Sequence, residues 1–279
     1  MKRTFTLIFA ALLSFAAAAQ TTPAEFQARY NRQTAALGAA GVGVETIINR
    51  WEEAFPEDGA MLRAKFSYYL AKSQSTRVVP KDQARYLGEK PVVTLKDSLG
   101  ADVNYFQETF YEDSVFSRCL DAAQKAISLY PDDLQHRVDK LNALTLYEKE
   151  SPDMACRELL ALIDLNSSSH PVWKSGETVL EADAFPATVQ EYCAAFYRIG
   201  TPSSYEAFRK VSEKMAKLYP KDPNFQSNLG SYWLVAQGNN KKALQYYKKA
   251  LKINPDDYAA QRNIRVIESG QSAKGRSSK

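Results

Sequence analysis

Residues 224–257 read NFQSNLGSYWLVAQGNNKKALQYYKKALKINPDD. Two stretches of helical character flank the turn residues Gly238-Asn239-Asn240, and Pro255 stops the second of them. In the second stretch Ala243, Tyr247 and Ala250 recur at steps of four and three, which places them on one helical face. In the first, Leu229, Gly230 and Trp233 do the same. Gly230 and Ala243 are the small residues that let two helices approach closely, and Trp233 and Tyr247 are the bulky partners around that crossing. The stretch predicts one antiparallel helix pair.

The length of the unit, 35 residues from Pro220 to Pro255, adds a period to this pattern. Leu229-Gly230 and Trp233 in helix A, Ala243, Tyr247 and Ala250 in helix B, and the closing Pro255 resemble a tetratricopeptide repeat (TPR) over about residues 223–256. Two features depart from that family's pattern: helix A carries one extra residue before Gly238, and Gln226 beside Phe225 fills the first aromatic slot. The resemblance implies an α-solenoid whose first helices line a concave groove for extended peptides or partner helices. Transferred to this chain, the family's groove positions are Asn224, Ser227, Ser231, Leu234 and Val235, with Gln135, Val138 and Asn142 in the repeat that follows Pro131. The family's best-known groove grips a C-terminal carboxylate with Lys, Arg and Asn. Asn228 stands in one such position, but the companion Lys and Arg are missing from this repeat, so that activity is not carried over.

Working outward, the closing signal recurs. Phe55-Pro56-Glu57-Asp58, Tyr130-Pro131-Asp132-Asp133, Tyr219-Pro220-Lys221-Asp222 and Asn254-Pro255-Asp256-Asp257 each follow an amphipathic run. Those runs carry Val44, Ile47, Ile48 and Trp51; Phe116, Cys119, Leu120, Ala123 and Ile127; and Tyr205, Phe208, Val211, Met215 and Leu218. Proline cannot donate to the preceding turn, and an Asp two residues later can accept from the free amides of the next helix. Each Pro-x-Asp is therefore read as the junction between one helix pair and the next. "LIDLNSSS" is expected to end a further helix at Asn166, and the 54 residues from there to Pro220 leave room for a repeat and an added helix. The 75 residues from Pro56 to Pro131 exceed one repeat, and within them KPVVTLKDSLGADVNYF reads as a β-hairpin, with Val92 to Leu95 and Val103 to Phe106 as strands. The expected fold is all-α, a TPR-like α-solenoid of four to five helix pairs with one inserted β-hairpin at about 91–107.

The ends read differently from the body. A short basic head, an uncharged apolar run from Thr4 to Ala19 and small residues at Ala17 and Ala19 predict a signal peptide over 1–19, cut before Gln20. This run of 16 residues falls short of the roughly 20 needed to cross a bilayer. Export, into a bacterial periplasm, and a soluble mature protein without an integral membrane segment are expected. The formal charge of +4 belongs to the two ends, because residues 20–268, the repeat domain, stand near −1. No basic stripe for nucleic acid is expected on the body. Residues 269–279 are expected to be a disordered basic tail.

Catalytic signals are sparse. Cys119, Cys156 and Cys193 are spaced by 37 residues, which suits equivalent core positions in successive repeats better than a disulfide or a metal site. His136 and His170 stand in no metal-ligand spacing, and His136 with Asp139 reads as a surface i, i+3 pair. The glycine run at 38–43 lacks the order of a dinucleotide-binding loop and is expected to start the first helix. No cofactor, metal or catalytic residue is assigned. The function expected is a non-enzymatic module that binds a protein or peptide in the groove. The alternative is a scaffold subunit of an envelope assembly that makes contact through the solenoid ends or the hairpin edge.

Overall fold

The structure, a computed structural model, describes residues 21–270. The expected signal peptide and all but Ser269 and Gly270 of the expected tail lie outside the described residues. Five helix pairs follow one another: α1 (Pro23–Leu37) with α2 (Val44–Ala54), α3 (Gly59–Ser73) with α4 (Asp113–Leu129), α5 (Leu134–Glu148) with α6 (Asp153–Ser169), α7 (Ala184–Ile199) with α8 (Pro202–Leu218), and α9 (Pro223–Ser231) with α10 (Asn240–Ile253). The last helix among the described residues, α11 (Tyr258–Glu268), packs on α10 and α9. The architecture is a TPR-like α-solenoid.

The four Pro-x-Asp signals form one recurring junction. The residue before each proline donates its N–H back to the helix it ends: Phe55 to Trp51 O at 2.8 Å, Tyr130 to Ala126 O at 2.8 Å, Tyr219 to Met215 O at 2.7 Å and Asn254 to Ala250 O at 2.9 Å. Its carbonyl then accepts from the Asp three residues on, at 3.0 to 3.2 Å. That Asp caps the next helix, accepting from Met61 N, Gln135 N, Asn224 N and Ala260 N at 2.8 to 3.0 Å. Stop, turn and start thus occupy four residues, and each cap contributes about 1 kcal/mol.

At the α9–α10 crossing Gly230 is buried against Tyr247, itself fully buried. A Cβ on Gly230 would lie 2.6 Å from the Tyr247 ring. The extra residue noted before Gly238 is absorbed as a π-helical turn, Tyr232–Ala236, that continues α9. A one-residue insertion into an α-helix is commonly accommodated by such a local widening.

The apolar interior falls into three clusters, over α1–α5, over α5–α9 and at α9–α11. The cysteines are free and buried within them. Burial pushes the thiols of Cys119 and Cys193 up to about 12. They pack as small apolar groups.

Several expectations need correction. The glycine run at 38–43 does not start the first helix; it joins α1 to α2, and α1 was not foreseen. The expected hairpin forms as β2 (Val93–Lys96) against β3 (Asp102–Tyr111), with Val93 opposite Tyr105. It is joined by an unforeseen strand, β1 (Gln74–Lys81), in the order β1-β3-β2. Because β1 runs straight out of α3 and β3 straight into α4, the helical hairpin is extended as a ribbon, with Gln74 opposite Tyr111 and Lys81 opposite Asn104. The sheet is tied to α5 by Glu108, which meets Lys149 at 2.6 Å and Lys81 at 2.9 Å. Helix α6 does not stop at Asn166 but runs to Ser169. No added helix fills the space before α7; a two-stranded turn, β4 (Lys174–Ser175) and β5 (Thr178–Val179), does. Asn166 instead accepts from Trp173 Nε1 at 2.8 Å and donates to Tyr219 OH at 2.9 Å, holding this loop to the next junction.

Candidate functional site

The first helices of the first three pairs, α1, α3 and α5, line a cleft of about 690 Å³. Helix α1 contributes Gln27, Tyr30 and Asn31, and α3 contributes Gly59, Ala60, Arg63, Ala64 and Ser67. The junction before α5 and its first turn add Tyr130, Asp132, Asp133, Gln135 and His136, while the β4–β5 turn adds Lys174, Gly176 and Glu177.

The walls are fixed by the junction chemistry. Tyr130 lies over Gly59, where a Cβ would sit 3.1 Å from the ring, and its hydroxyl donates to Glu57 O at 2.6 Å. One junction is thereby fastened to the previous one. The buried Asp133 divides its two oxygens: Oδ1 caps α5, and Oδ2 accepts from Gly176 N at 3.0 Å. Lys174 N donates to Asp132 O at 2.9 Å, and its ammonium meets the Asp132 carboxylate at 2.7 Å. The hydrogen bond from the Lys174 ammonium, helped by its charge, holds the Asp132 carboxyl below its usual range. The β4–β5 turn is thus clasped to the start of α5 and forms one wall of the cleft.

The polar groups are unevenly engaged. Arg63 binds Asp139 through Nε at 2.8 Å and Nη2 at 3.4 Å, and Gln135 Nε2 donates to the same carboxylate at 2.8 Å. His136 is no surface partner of Asp139, as the i, i+3 spacing had suggested. It is buried, with Nε2 3.8 Å from Asp133 Oδ2 and its ring against Tyr130. Burial lowers its pKa from 6.5, more than the nearby carboxylates of Asp133 and Asp139 raise it. Trp51 belongs to the lining, fully buried and stacked on Phe26, and its indole N–H has no hydrogen-bond partner among the described residues. Gln27 and Asn31 are exposed.

Of the polar groove candidates Gln135, Asn142, Asn224, Ser227, Asn228 and Ser231, only Gln135 lines this cleft. Asn142 is exposed on α5 and accepts from Tyr192 OH of α7 at 2.8 Å. In the last pair, Asn224 is exposed at the start of α9. Asn228 and Gln190 of α7 exchange two hydrogen bonds, at 2.7 and 3.2 Å. Ser227 donates to Asp257 Oδ2 at 2.5 Å, and the Ser231 hydroxyl lies 3.0 Å from Tyr247 OH. These side chains stitch α9 to its neighbours. The α1 and α3 residues of the cleft were missed by sequence reading. Thr22-Pro23-Ala24-Glu25 was the available signal: Thr22 Oγ1 accepts from Glu25 N at 3.3 Å and Thr22 N donates to Glu25 Oε2 at 3.1 Å, a complete capping box.

No protein-family profile matches the chain, and no curated protein sequence does. Among solved structures the chain is similar to one described as "Crystal structure of YrrB: a TPR protein with an unusual peptide-binding site". Identity is 11%, the TM-score is 0.40, and the match covers 88% of this chain and 94% of that one. At that level no residue correspondence is transferred.

Proposed function

We propose that the protein is a binding module that takes an extended segment of a partner protein in the α1–α3–α5 cleft. The observation that supports this best is the cleft itself. It is an open trough of about 690 Å³ on the side of the first helices, lined mainly by carboxamides, hydroxyls, aromatic rings and paired charges. Carboxamide and hydroxyl groups match the alternating donors and acceptors of a peptide backbone, and tyrosine rings supply apolar contact at low entropic cost. Gln135 belongs to this surface directly. Asn224 and Asn142, both exposed, extend it along the same row of helices, whereas Ser227, Asn228 and Ser231 hold that row together. The apolar N-terminal run supports placing the protein outside the cytoplasm. No described helix is long and apolar enough to cross a membrane.

The test is selection from a displayed library of random peptides, with an Ala64→Arg variant as the counter-screen. Ala64 is buried in the lining, beside the ion-paired Arg63. Peptides that bind the wild type and lose at least about ten-fold in affinity for a folded Ala64→Arg protein are expected. Peptides that bind both proteins equally would place recognition elsewhere.

A scaffold role is the second reading, and the sheet favours it. The outer edges of β1 and β2 are unpaired among the described residues, and Val78, Val93, Leu95 and Leu99 are exposed around them. Such edges pair readily with another strand. Loss of a co-purifying subunit on Val93→Lys/Leu95→Lys substitution, with the Ala64→Arg protein unaffected, would decide for it.

A further inference from the structure

The charge of this chain is not spread evenly. Residues 21–239 contain 24 Lys and Arg against 29 Asp and Glu, while residues 240–270 contain seven against three. The body is therefore near −5 and the terminal unit near +4. Pairing sharpens the contrast. Nine lysines of the body lie within 4.0 Å of a carboxylate: Lys65 and Lys125 share Glu52, Lys81 and Lys149 share Glu108, and the others have single partners. Helix α10 carries Lys241, Lys242, Lys248, Lys249 and Lys252, and among the described residues none of them has such a partner.

The five are also aligned. The buried side of α10 is Ala243, Tyr247 and Ala250. At 3.6 residues per turn, the lysines fall on an arc of about 120° opposite that side and extend over about 17 Å. All five are exposed. Lys249 lies 4.8 Å from the Tyr246 ring centre, and Tyr258, 68% exposed, stands at the start of the neighbouring α11. Unneutralised lysines on one arc raise the local potential and draw anions to that side.

We propose that this face of α10 docks the protein peripherally on an anionic lipid surface, with the lysines meeting headgroup phosphates and Tyr246 and Tyr258 at the interface. Three features favour lipid over nucleic acid. Helix α10 carries lysines and no arginine, so it offers point charges without the forks that suit bidentate recognition. The arc lies on a single exposed helix side, which fits a plane. The aromatic rings against the arc are Tyr246, beside Lys249, and Trp233, 3.8 Å from Lys242, both of residue types enriched at the headgroup level of bilayers. The inner side of α10 stays in the core, so attachment is electrostatic and reversible.

The test is co-sedimentation of the purified protein with vesicles of phosphatidylglycerol and phosphatidylcholine, compared with phosphatidylcholine alone. Binding to the mixed vesicles that weakens steeply with added sodium chloride is expected. The variant Lys241→Gln/Lys248→Gln/Lys252→Gln, all three at exposed positions, should lose about a hundred-fold in vesicle affinity with an unchanged circular dichroism spectrum, since each such lysine is worth roughly five-fold at an anionic surface. A chain ending at Gly270 should keep its binding within a few-fold, because the site is on α10. Equal binding to both vesicle types, unchanged binding of the triple variant, or loss of binding on truncation alone would overturn the proposal. Displacement from vesicles by duplex DNA at equal phosphate concentration would overturn it in favour of nucleic acid.

Discussion

The two ends of the solenoid use the same junctions but leave their grooves in different states. In the last pair, Ser227, Asn228 and Ser231 are occupied by Asp257, Gln190 and Tyr247, and a fully buried ring fills the place beside Gly230. In the first three pairs the corresponding side of the helices stays open as a cleft, with the β4–β5 turn clasped at one wall. Polar residues on the groove side of a helix therefore have two fates. In the last pair Ser227, Asn228 and Ser231 bond to neighbouring elements and become structural, whereas at the cleft Gln27 and Asn31 stay exposed even though Arg63 of α3 reaches Asp139 of α5.

The strongest way to break this comparison is at two closely packed glycines, Gly230 at the α9–α10 crossing and Gly59 at the first turn of α3. Gly230→Ala puts a methyl within 2.6 Å of Tyr247, which cannot retreat, and should destabilise the protein by about 1–3 kcal/mol, with Gly230→Leu worse. Gly59→Ala meets only the ring of Tyr130, itself 36% exposed, and should cost under about 1 kcal/mol. Urea unfolding of both variants checks this; equal losses would mean that the two glycine contacts are packed alike. A smaller effect separates two junction residues. Asp222→Ala removes only a cap and should cost about 1 kcal/mol. Asp133→Ala also frees Gly176 N, so it should cost about 1 kcal/mol more and raise amide hydrogen exchange in 174–179. Protection there that matches the wild type would show that the turn is held by other contacts.

The smallest effect is a pH slope. Burial holds the folded-state pKa of His136 below 6.5, so the unfolded chain takes up a proton that the folded chain refuses. His136 thus contributes stability that is fully present above pH 6.5 and is lost as pH falls toward its folded value. The depressed carboxylates Glu45, Glu108, Asp132 and Glu206 titrate below the ordinary 4.5 of Glu and 3.8 of Asp, so the range just below pH 6.5 reports on His136. A His136→Asn protein should show a flatter dependence of unfolding free energy on pH across that range. An unchanged slope would assign the proton uptake to another group.

Much of the frame was legible because its signals are local. A Pro-x-Asp junction is written in four consecutive residues, and the Gly230–Tyr247 crossing follows from one size-complementary pair. The extra residue before Gly238 was visible too, although its outcome as a π-helical turn needs coordinates. Strand β1 was not legible, because most of its residues are exposed and it shows no alternation, despite the β-branched Thr76, Val78 and Val79. The open cleft was hidden for a different reason. It arises where α1, α3 and α5, far apart in sequence, meet a short turn near Gly176, and nothing near Gln27 or Ser67 announces that meeting. His136 shows the same limit: an i, i+3 spacing gave the wrong carboxylate, because burial depends on where Tyr130 comes to rest.

The division of the interior into three apolar clusters has a mechanical consequence. Leu120 packs against both the first and the second cluster, and Trp233 against both the second and the third. Stability in such a stack is a sum of unit and interface contributions, so a chain pulled by its two ends is expected to open unit by unit, lengthening in discrete steps while neighbouring units stay folded.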